Sequence, residues 1–344
     1  MSNKIVYTCP FVPAEWTEAH GLAPSRIMPS SSDVKQTGLM VASDCLLPKP
    51  PDRPIGPMPG LCPFVRAFIN AVINEKDAAA IIVTTPCDQM RRADDIIREY
   101  TDRPVFQMNI PHTWQNVTAQ KMYQSELNRL SQFLTELGGK APSDEKLSET
   151  MHRYDSDRTT LKNLRSTLPA RSYSEAIAEF NRTGKIDINV QKSIIKPSGV
   201  PLALVGGPLM ADHLEIFDLV ESTGGYIALD ATETGERTLP APFDRRQMKE
   251  NPISALVDAY FGSIPDAFQR PNSRLYSRLK HKLAARDIKG IIFRRYLWCD
   301  TWNAEAFRMK EWSRLPFIHL DVSDDGTDTV RTLGRLRSFM ETLE

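Results

Sequence analysis

The sequence predicts an α/β protein with two parallel-sheet units joined by a helical segment. Strand-like and helix-like stretches alternate over 1–115 and again over 196–344, and such alternation is typical of parallel, doubly wound sheets. The stretch 116–195 is polar and helical in pattern, with no convincing strand. We therefore expect an N-terminal domain over 1–115, a connecting segment over 116–195 and a C-terminal domain over 196–344, the two domains sharing one architecture.

Composition narrows the class of protein. The chain has 344 residues, 41% hydrophobic and 25% charged, enough to bury a core in one large or two ordinary domains. Lys plus Arg and Asp plus Glu number 43 each, and zero net charge gives no support for nucleic acid as a partner. The N-terminal residues lack the apolar region of a signal peptide, and no apolar run approaches the ~20 residues of a membrane span. We expect a cytoplasmic protein without a membrane partner, whose five cysteines form no disulfide framework.

The first unit is predicted to contain four strands and three helices. The predicted strands are 4–8, 25–28, 78–85 and 104–110, and the predicted helices are 13–21, 63–76 and 88–100. Apolar residues at Phe64, Phe68 and Val72 follow the spacing of an amphipathic helix. The run 78–85 is almost entirely apolar, as in a strand buried on both faces of a parallel sheet. The Pro- and Gly-bearing stretch 30–60 is expected to be a loop that wraps a site.

The connecting segment and the second unit follow the same reasoning. Helical stretches are predicted at 126–139, 145–166 and 172–184. The strands of the second unit are predicted at 201–208, 226–230, 290–296 and 316–322, and its helices at 211–223, 271–287, 303–312 and 330–343. A Gly-Gly pair ends both the first of these strands and the first of these helices, as expected for turns.

Three cysteines each lie where a strand is expected to end and a helix to begin: Cys62, Cys87 and Cys299. Ligands bind at the carboxyl ends of strands in α/β folds, and a helix N-terminus biases a thiol toward thiolate. Three thiolates with one open position suit a reactive iron–sulfur cluster better than a structural zinc site. The spacing lacks any CxxC pair and is also typical of buried cysteines that fill a core. Cys9 is a possible fourth ligand or a packing residue, and Cys45 has no expected role.

Two further positions allow a functional or an ordinary interpretation. Glu15 lies in the first turn of a predicted helix, where a carboxylate complements the helix dipole. The functional interpretation is a general acid/base near the thiols. Gly206 and Gly207 end a strand before a helix, where backbone N–H groups can bind a phosphate. Neither a G-x-G-x-x-G nor a Walker A pattern is present, so the sequence contains no recognisable nucleotide site.

A histidine and two pairs of arginines are further candidates for contact with substrate. His112 follows a predicted strand and is expected to line the cleft and contact substrate. The pairs Arg91–Arg92 and Arg294–Arg295 are typical of solvated or ion-paired surfaces. Either pair is alternatively suited to the phosphates of a large anionic substrate.

Several stretches resemble a known enzyme family. They are YTCPFVPAEWTEAHGLAPSRIMP (7–29), CPFVRAFI (62–69), IIVTTPCDQMRR (81–92), LVGGPL (204–209), GGYIALDATETGER (224–237), KGIIFRRYLWCDTWNAEAF (289–307) and HLDVSDDGTDTVRTLGRLRSFMETL (319–343). They resemble the subunits of 2-hydroxyacyl-CoA dehydratases and benzoyl-CoA reductases, including the D-component of 2-hydroxyglutaryl-CoA dehydratase. The resemblance covers nearly the whole chain, and PCD and WCD following CPF are its most specific motifs.

The resemblance implies one 4Fe-4S cluster in a cleft between two flavodoxin-like domains. Carried over by motif, Cys62, Cys87 and Cys299 are its ligands, and Glu15 matches the glutamate of a Pro-x-Glu helix. In the dehydratases, an iron–sulfur activator hydrolyses ATP and injects one electron. The electron converts the thioester carbonyl into a ketyl radical, which permits loss of an otherwise unreactive hydroxyl. The missing Walker A pattern agrees with ATP hydrolysis on a partner.

The function implied is that of an iron–sulfur subunit in anaerobic metabolism, either a dehydratase-like lyase or a benzoyl-CoA reductase-like oxidoreductase. Its partners would be a CoA thioester substrate, an ATP-hydrolysing iron–sulfur activator and a paralogous or identical second subunit in a dimer. The alternatives are a non-catalytic accessory paralogue that pairs with an active subunit, and an ATP-dependent reductase of another small molecule. A zinc protein is a third interpretation.

The sequence departs from the family pattern at one informative position. Where many members have a cysteine in an Asp-x-x-Cys stretch, this chain has Glu233 in DATETGER. Some relatives hold a larger double-cubane cluster, for which the five cysteines of this chain are too few. The departure puts the identity of the substrate in doubt more than the cluster.

Overall fold

The computed structural model of the chain contains two four-stranded sheets, each with all its strands parallel. The structure describes residues 3–35, 60–186, 198–323 and 329–343. Most of the predicted loop over 30–60, including Cys45, lies outside the described residues. Within the described ranges, no helix has both the length and the hydrophobicity needed to cross a bilayer.

The first sheet is formed by the first four strands. The elements in order are β1 (Lys4–Tyr7), α1 (Ala14–Ala19), β2 (Ala23–Arg26), α2 (Ser31–Lys35), α3 (Pro63–Asn74), β3 (Ala78–Thr84), α4 (Asp88–Tyr100) and β4 (Val105–Met108). The four strands and three helices predicted here are present. The short helix α2 falls at the start of the predicted loop, where Asp33 accepts a hydrogen bond from the backbone N–H of Ser30 at 2.8 Å.

Three long helices follow, as the polar pattern predicts. They are α5 (Val117–Glu136), α6 (Asp144–Leu164) and α7 (Ala170–Thr183). Their ends have recognisable causes. Asn116 and Ser143 cap the first two helices by accepting backbone N–H bonds from Ala119 and Lys146. Gly184, at φ 67°, ends the third helix in the left-handed conformation that glycine tolerates.

The second sheet is formed by the rest of the chain. The elements in order are β5 (Val200–Gly206), α8 (Glu215–Glu221), β6 (Gly225–Ala231), α9 (Arg245–Glu250), α10 (Pro252–Tyr260), α11 (Ser273–Ala285), β7 (Gly290–Tyr296), α12 (Asp300–Ser313), β8 (Phe317–Val322) and α13 (Thr329–Glu341). Short 3₁₀ helices at Ala211–Leu214 and Glu236–Thr238 precede α8 and α9. The four strands and four helices predicted here are present, although the predicted helix over 211–223 begins as a 3₁₀ turn. The sequence did not predict α9 and α10.

Both sheets have the strand order of flavodoxin. The first sheet runs β2-β1-β3-β4 and the second β6-β5-β7-β8, so each follows the order 2-1-3-4. The register aligns Ile5 of β1 with Pro24 and Ala80, and Val205 of β5 with Ala231 and Phe293. The predicted fold class, two flavodoxin-like parallel-sheet domains with a helical segment, is confirmed. In such folds ligands bind where the strand order reverses, here between β1 and β3 and between β5 and β7.

The chain between β6 and α11 packs partly on the first sheet, through Leu256, Phe261 and Phe268. Phe261 stacks on Tyr123 of α5 with ring centroids 5.0 Å apart, and Phe268 packs edge-on against Phe11 at 5.2 Å. These residues share one buried cluster with Leu256 of α10 and with β1. The chain therefore crosses between the sheets more than once, and the domain boundaries at 115 and 195 stay a prediction.

Candidate functional site

A cavity of about 90 Å³ lies between the carboxyl ends of the two sheets, and we call it the thiol cavity. From the first sheet it receives Cys9, which follows β1, and Cys87, which follows β3. From the second it receives Gly207, which follows β5, and Cys299, which follows β7. Both points where the strand order reverses therefore border the same space, which is where the fold places ligands.

The three predicted cysteine ligands all line the thiol cavity, and each is the N-cap of a helix. Cys62 precedes α3, Cys87 precedes α4 and Cys299 precedes α12. Their carbonyl oxygens accept the first helical hydrogen bonds, from the backbone N–H groups of residues 66, 91 and 303 at 2.9–3.1 Å. The predicted placement at a strand end is confirmed for Cys87 and Cys299, which follow β3 and β7. It is wrong for Cys62, since the described residues directly before it, Gly60 and Leu61, form no strand. The three thiols, far apart along the chain, nevertheless meet at one cavity. Cys9 lines the same cavity, and none of these four cysteines forms a disulfide.

Burial, not the helix N-terminus, has the largest effect on the pKa values of Cys9, Cys87 and Cys299. Desolvation raises the pKa of Cys9 to about 12. It also raises the pKa of Cys87, although the backbone N–H groups of Gln89 and Met90 oppose the rise. The pKa of Cys299 is raised well above its usual value, first by burial and then by the neighbouring thiols. The expectation that a helix N-terminus favours the thiolate is therefore wrong for Cys87 and Cys299 in the protein alone, because desolvation outweighs the backbone N–H groups.

Thiols are the donor type that iron–sulfur clusters take, and three of them line one cavity. Within the described ranges, no three His, Cys, Asp or Glu side chains are grouped so as to hold one metal ion. A zinc ion needs its ligand atoms at about 2.0–2.3 Å from one point, whereas a cubane spreads its thiolates around a larger body. Thiols with raised pKa values lose their protons when a nearby cation compensates the charge, which is what bound iron does. Cys62, Cys87 and Cys299 around one cavity therefore suit an iron–sulfur cluster.

Glu233 provides a carboxylate beside these thiols. Its side chain lines the thiol cavity, and its backbone N–H donates to the carbonyl of Gly207 at 3.2 Å. Burial, and secondarily the charge of Asp266, raises the pKa of Glu233 to about 7, against the opposing effect of Arg26 and Arg237. In the described part of the chain no cation forms an ion pair with this carboxylate, because Arg237 binds Asp266 at 2.6 Å instead. Glu233 can therefore hold or release a proton near neutral pH.

The sequence analysis did not select Glu233 as a site residue. It lies just past the carboxyl end of β6, beside the strand that carries Gly207. Its position after a buried strand could have identified it by the rule that served for the cysteines. Its contacts and raised pKa depend on Asp266, Arg26 and Arg237, which only the folded chain brings together.

Aromatic side chains form the wall of the thiol cavity. Phe64, Phe268 and Trp302 line it and are each at most 5% exposed. The ring of Trp302 also covers the guanidinium of Arg237, 5.0 Å from the ring centroid. The site therefore combines thiols, one titratable carboxylate and an apolar wall, a composition typical of a small-molecule site.

The match to a family model covers almost the entire chain. The model described as 2-hydroxyglutaryl-CoA dehydratase, D-component, matches residues 9–343. The chain belongs to this family. Membership implies a 2-hydroxyacyl-CoA dehydratase-like enzyme subunit that works with a CoA thioester and partner subunits. No curated protein matches the sequence.

The glycine pair of this D-component family member has two separate roles. Gly207 lines the thiol cavity, and a Cβ atom there would lie 3.2 Å from Cδ1 of Trp302. Gly206 has a φ of 158°, and a Cβ there would lie 1.9 Å from the carbonyl oxygen of Arg294. Gly206 therefore permits the close approach of β5 to β7, whereas Gly207 keeps space open at the cavity. Phosphate binding by this pair stays a prediction.

His112 lies beside the thiol cavity rather than on its lining. Its ring packs edge-on against Phe268, with centroids 5.6 Å apart, and the side chain is exposed. Its carbonyl accepts a hydrogen bond from the backbone N–H of Arg270 at 2.8 Å. Substrate contact by His112 stays a prediction, since Phe268 stands between the imidazole and the cavity lining.

Glu15 lies away from the lining of the thiol cavity in this member of the family. It is fully buried, with Oε1 2.5 Å from Nη2 of Arg158 and Oε2 accepting from the hydroxyl of Tyr260 at 2.6 Å. Nη2 of Arg158 donates to the same hydroxyl at 2.7 Å. Burial alone lowers the pKa of Arg158, but the charge of Glu15 raises it above the usual value. This ion pair joins α1 to α6 and α10, and an acid–base role for Glu15 stays a prediction.

Proposed function

We propose that the chain is the iron–sulfur subunit of a 2-hydroxyacyl-CoA dehydratase-like enzyme, with Cys62, Cys87 and Cys299 as the protein ligands of one 4Fe-4S cluster. One observation carries this proposal. Three N-cap thiols, contributed by both sheets, line a single cavity at the ligand-binding edge of the fold. The family match over residues 9–343 supports the reaction class. Cys9, in the same cavity, is the candidate for a fourth contact.

The chain's own residues would supply proton transfer and exclusion of water. A bound cluster would supply one-electron reduction of the thioester carbonyl of the substrate. Glu233, with a pKa of about 7, is our candidate for moving a proton to or from the substrate. Phe64, Phe268 and Trp302 would keep water from the reacting atoms, because their rings occupy the wall of the cavity. A proton donor beside the thiols is what loss of a poor leaving group requires.

We further propose that electrons come from an ATP-hydrolysing iron–sulfur activator and that the subunit works in the cytoplasm as one half of a dimer. The absence of a phosphate-binding loop from the sequence supports ATP hydrolysis on another protein. The unoxidised thiols of Cys9, Cys87 and Cys299 at the site agree with a reducing compartment. Whether the net reaction is dehydration or reduction depends on the acyl group bound.

The accessory paralogue is the second candidate function. The buried Glu15–Arg158 ion pair favours an accessory role. Glu15, the glutamate that matches the family motif, does not line the thiol cavity. Glu233 favours a catalytic subunit. A buried carboxylate with a raised pKa costs stability, and such groups are concentrated at catalytic sites. Turnover with activator, ATP and a 2-hydroxyacyl-CoA distinguishes the two candidates.

Iron and sulfide content of anaerobically purified protein tests the cluster. We expect about four irons and four sulfides per chain in the wild type. Cys87→Ser should lose most of this iron, because a cluster with three protein ligands has little redundancy. Cys45→Ser is the matched control and should keep it. Cys9→Ser decides whether Cys9 is a ligand. Equal iron in the wild type and Cys87→Ser, or stoichiometric zinc in place of iron, would refute the proposal.

A further inference from the structure

A second cavity, of about 70 Å³, lies on the far side of Tyr296 from the thiol cavity, and we call it the arginine cavity. It is bordered by α8, by the carboxyl end of β8 and by the first turns of α13. Arg294, Arg331 and Arg335 line it, together with His213 and Thr332. Nothing in the proposed function makes use of it.

Arg294 is the most unusual residue of the arginine cavity. It is only 5% exposed, and the described residues place no carboxylate within ion-pair distance of its guanidinium. Its guanidinium contacts the hydroxyl of Tyr296, and its guanidinium carbon lies 5.1 Å from the centroid of that ring. Buried charges are otherwise paired, because desolvation of a lone ion is expensive. A cation buried on the wall of a cavity therefore requires an anion inside it.

His213 presents a second unpaired donor to the same cavity. The ring is 2% exposed, and burial together with Arg294 lowers its pKa to about 3, so the imidazole is neutral at pH 7. The hydroxyl oxygen of Tyr296 accepts from the backbone N–H of Met210 at 2.9 Å and faces the guanidinium of Arg294. Its own proton is therefore left for Nδ1 of His213, 2.7 Å away.

This arrangement fixes the tautomer of His213 with its proton on Nε2. That nitrogen is buried and has no hydrogen-bond partner among the residues that the structure describes. It is thus a donor that needs an acceptor, whereas the guanidinium of Arg294 contacts the Tyr296 hydroxyl but has no carboxylate partner in the same ranges. Both groups belong to the lining of one small cavity.

The carboxylates around the arginine cavity do not satisfy these donors. Asp321 is held by Arg295 at 2.9 Å and by His319 at 3.0 Å. Glu215 accepts from the hydroxyl of Thr329 at 3.4 Å. Helix α13 starts at Thr329, and the positive end of its dipole adds to the attraction for an anion.

We propose that the arginine cavity binds the oxyanion of a phosphate group. Guanidinium, imidazole and hydroxyl donors approach from three elements, which suits a tetrahedral anion better than a planar carboxylate. The volume corresponds to about five water-sized positions at ~10–15 Å³ each, enough for the five heavy atoms of phosphate. This site is additional to the proposed function and independent of it. Tyr296 lines the thiol cavity and its hydroxyl contacts His213 of the arginine cavity, so this side chain connects the two sites.

Calorimetric titration of the full-length protein with inorganic phosphate tests this site, at constant ionic strength maintained with chloride. We expect one saturable site per chain with a millimolar or tighter Kd, weakened at least tenfold in Arg294→Gln. Arg335→Gln keeps the test informative if the buried change impairs folding, because Arg335 is exposed, and we expect at least threefold weaker binding. The matched control is Arg337→Gln on the same helix, which removes the same charge from an exposed position outside the lining.

Two results would overturn the assignment: no saturable binding of phosphate above that of chloride, or equal affinity in Arg335→Gln and Arg337→Gln. A competition with coenzyme A identifies the source of the phosphate group. Displacement of phosphate by coenzyme A assigns the site to a phosphate of that ligand, and retention of phosphate assigns it to the free ion. Neither measurement depends on iron or on turnover, so failure here and failure of the proposed function are separable.

Discussion

Glu15 and Glu233 are two carboxylates removed from bulk solvent, and they differ in whether a cation pairs with them. Glu15 is sealed between α1, α6 and α10, with Arg158 and Tyr260 as direct partners. Glu233 faces the thiol cavity, and the arginine that could pair with it binds Asp266 instead. One carboxylate therefore has a buried cation and a hydroxyl as partners, whereas the pKa of the other is raised to about 7.

The difference separates a structural group from a chemical one. A buried ion pair contributes to one arrangement of helices, because removal of either member leaves a charge without a partner. A carboxylate with a raised pKa costs stability at neutral pH but can exchange a proton there. Resemblance to the family directs attention to Glu15, and the contacts of the folded chain direct it to Glu233.

The largest effect should follow removal of Arg158. Arg158→Ala leaves Glu15 buried and unpaired, and we expect the free energy of unfolding to fall by about 3–5 kcal/mol. Urea unfolding monitored by circular dichroism measures it. Arg153→Ala, on the same helix, removes an arginine that pairs with Glu18 at a half-exposed site and should cost about 1 kcal/mol or less. Equal losses in the two variants would show that the buried pair has no special structural role.

Replacement of Glu233 should affect turnover rather than folding. Glu233→Gln keeps the shape and removes the titrating group, so we expect retained iron and a ~10²-fold or greater loss of turnover with activator and ATP. Glu15→Gln is the matched variant, and its main effect should be on stability. If Glu15→Gln folds, retains iron and loses turnover as severely as Glu233→Gln, the acid–base role predicted for Glu15 is right and the assignment to Glu233 is wrong.

The pH dependence of stability should reveal Glu233 without any activity assay. Its pKa rises from 4.5 in the unfolded chain to about 7 in the fold, so between these values the folded state binds more protons. The free energy of unfolding should therefore decrease as pH rises from about 4.5 to 7, by at most about 1.4 kcal/mol per pH unit from this group. Glu233→Gln should be more stable than the wild type at pH 8 and similar at pH 4, as measured by thermal unfolding. A constant difference across this range would contradict the raised pKa.

Among the changes to the buried pair, the smaller effect should come from Tyr260→Phe. The change deletes the hydroxyl that donates to Glu15 and accepts from Arg158 but leaves their ion pair in place. We expect a loss of about 1.5 kcal/mol, the lower end for a hydrogen bond to a charged group. The same urea measurement applies. A loss as large as that of Arg158→Ala would mean that the hydroxyl, and not the charge pair, stabilises this region.

The comparison also marks what the sequence can predict. Strand ends and helix starts are local features, so the N-cap positions of Cys62, Cys87 and Cys299 and all eight strands in the described ranges could be predicted. The partners of Glu15 could not, since Tyr260 is 245 residues away in sequence. The raised pKa of Glu233 is likewise a property of tertiary packing.

Short elements were the other failure of sequence reasoning. The segment α9 has six residues, too few to show a helical period. The nine residues of α10 include six buried ones, so it lacks the polar face that marks an amphipathic helix. Its position became evident only from its neighbours, because it packs against α5 and α6.

The return of the chain to the first sheet determines the order in which this protein can fold during synthesis. The buried cluster around β1 contains Leu256, Phe261 and Phe268, and a ribosome releases these residues long after it has released β4. Part of the apolar surface of the N-terminal sheet must therefore stay uncovered until the three connecting helices and the first two strands of the second sheet, β5 and β6, have also emerged. A nascent chain stalled before residue 250 would expose that surface, and such surfaces are what chaperones bind.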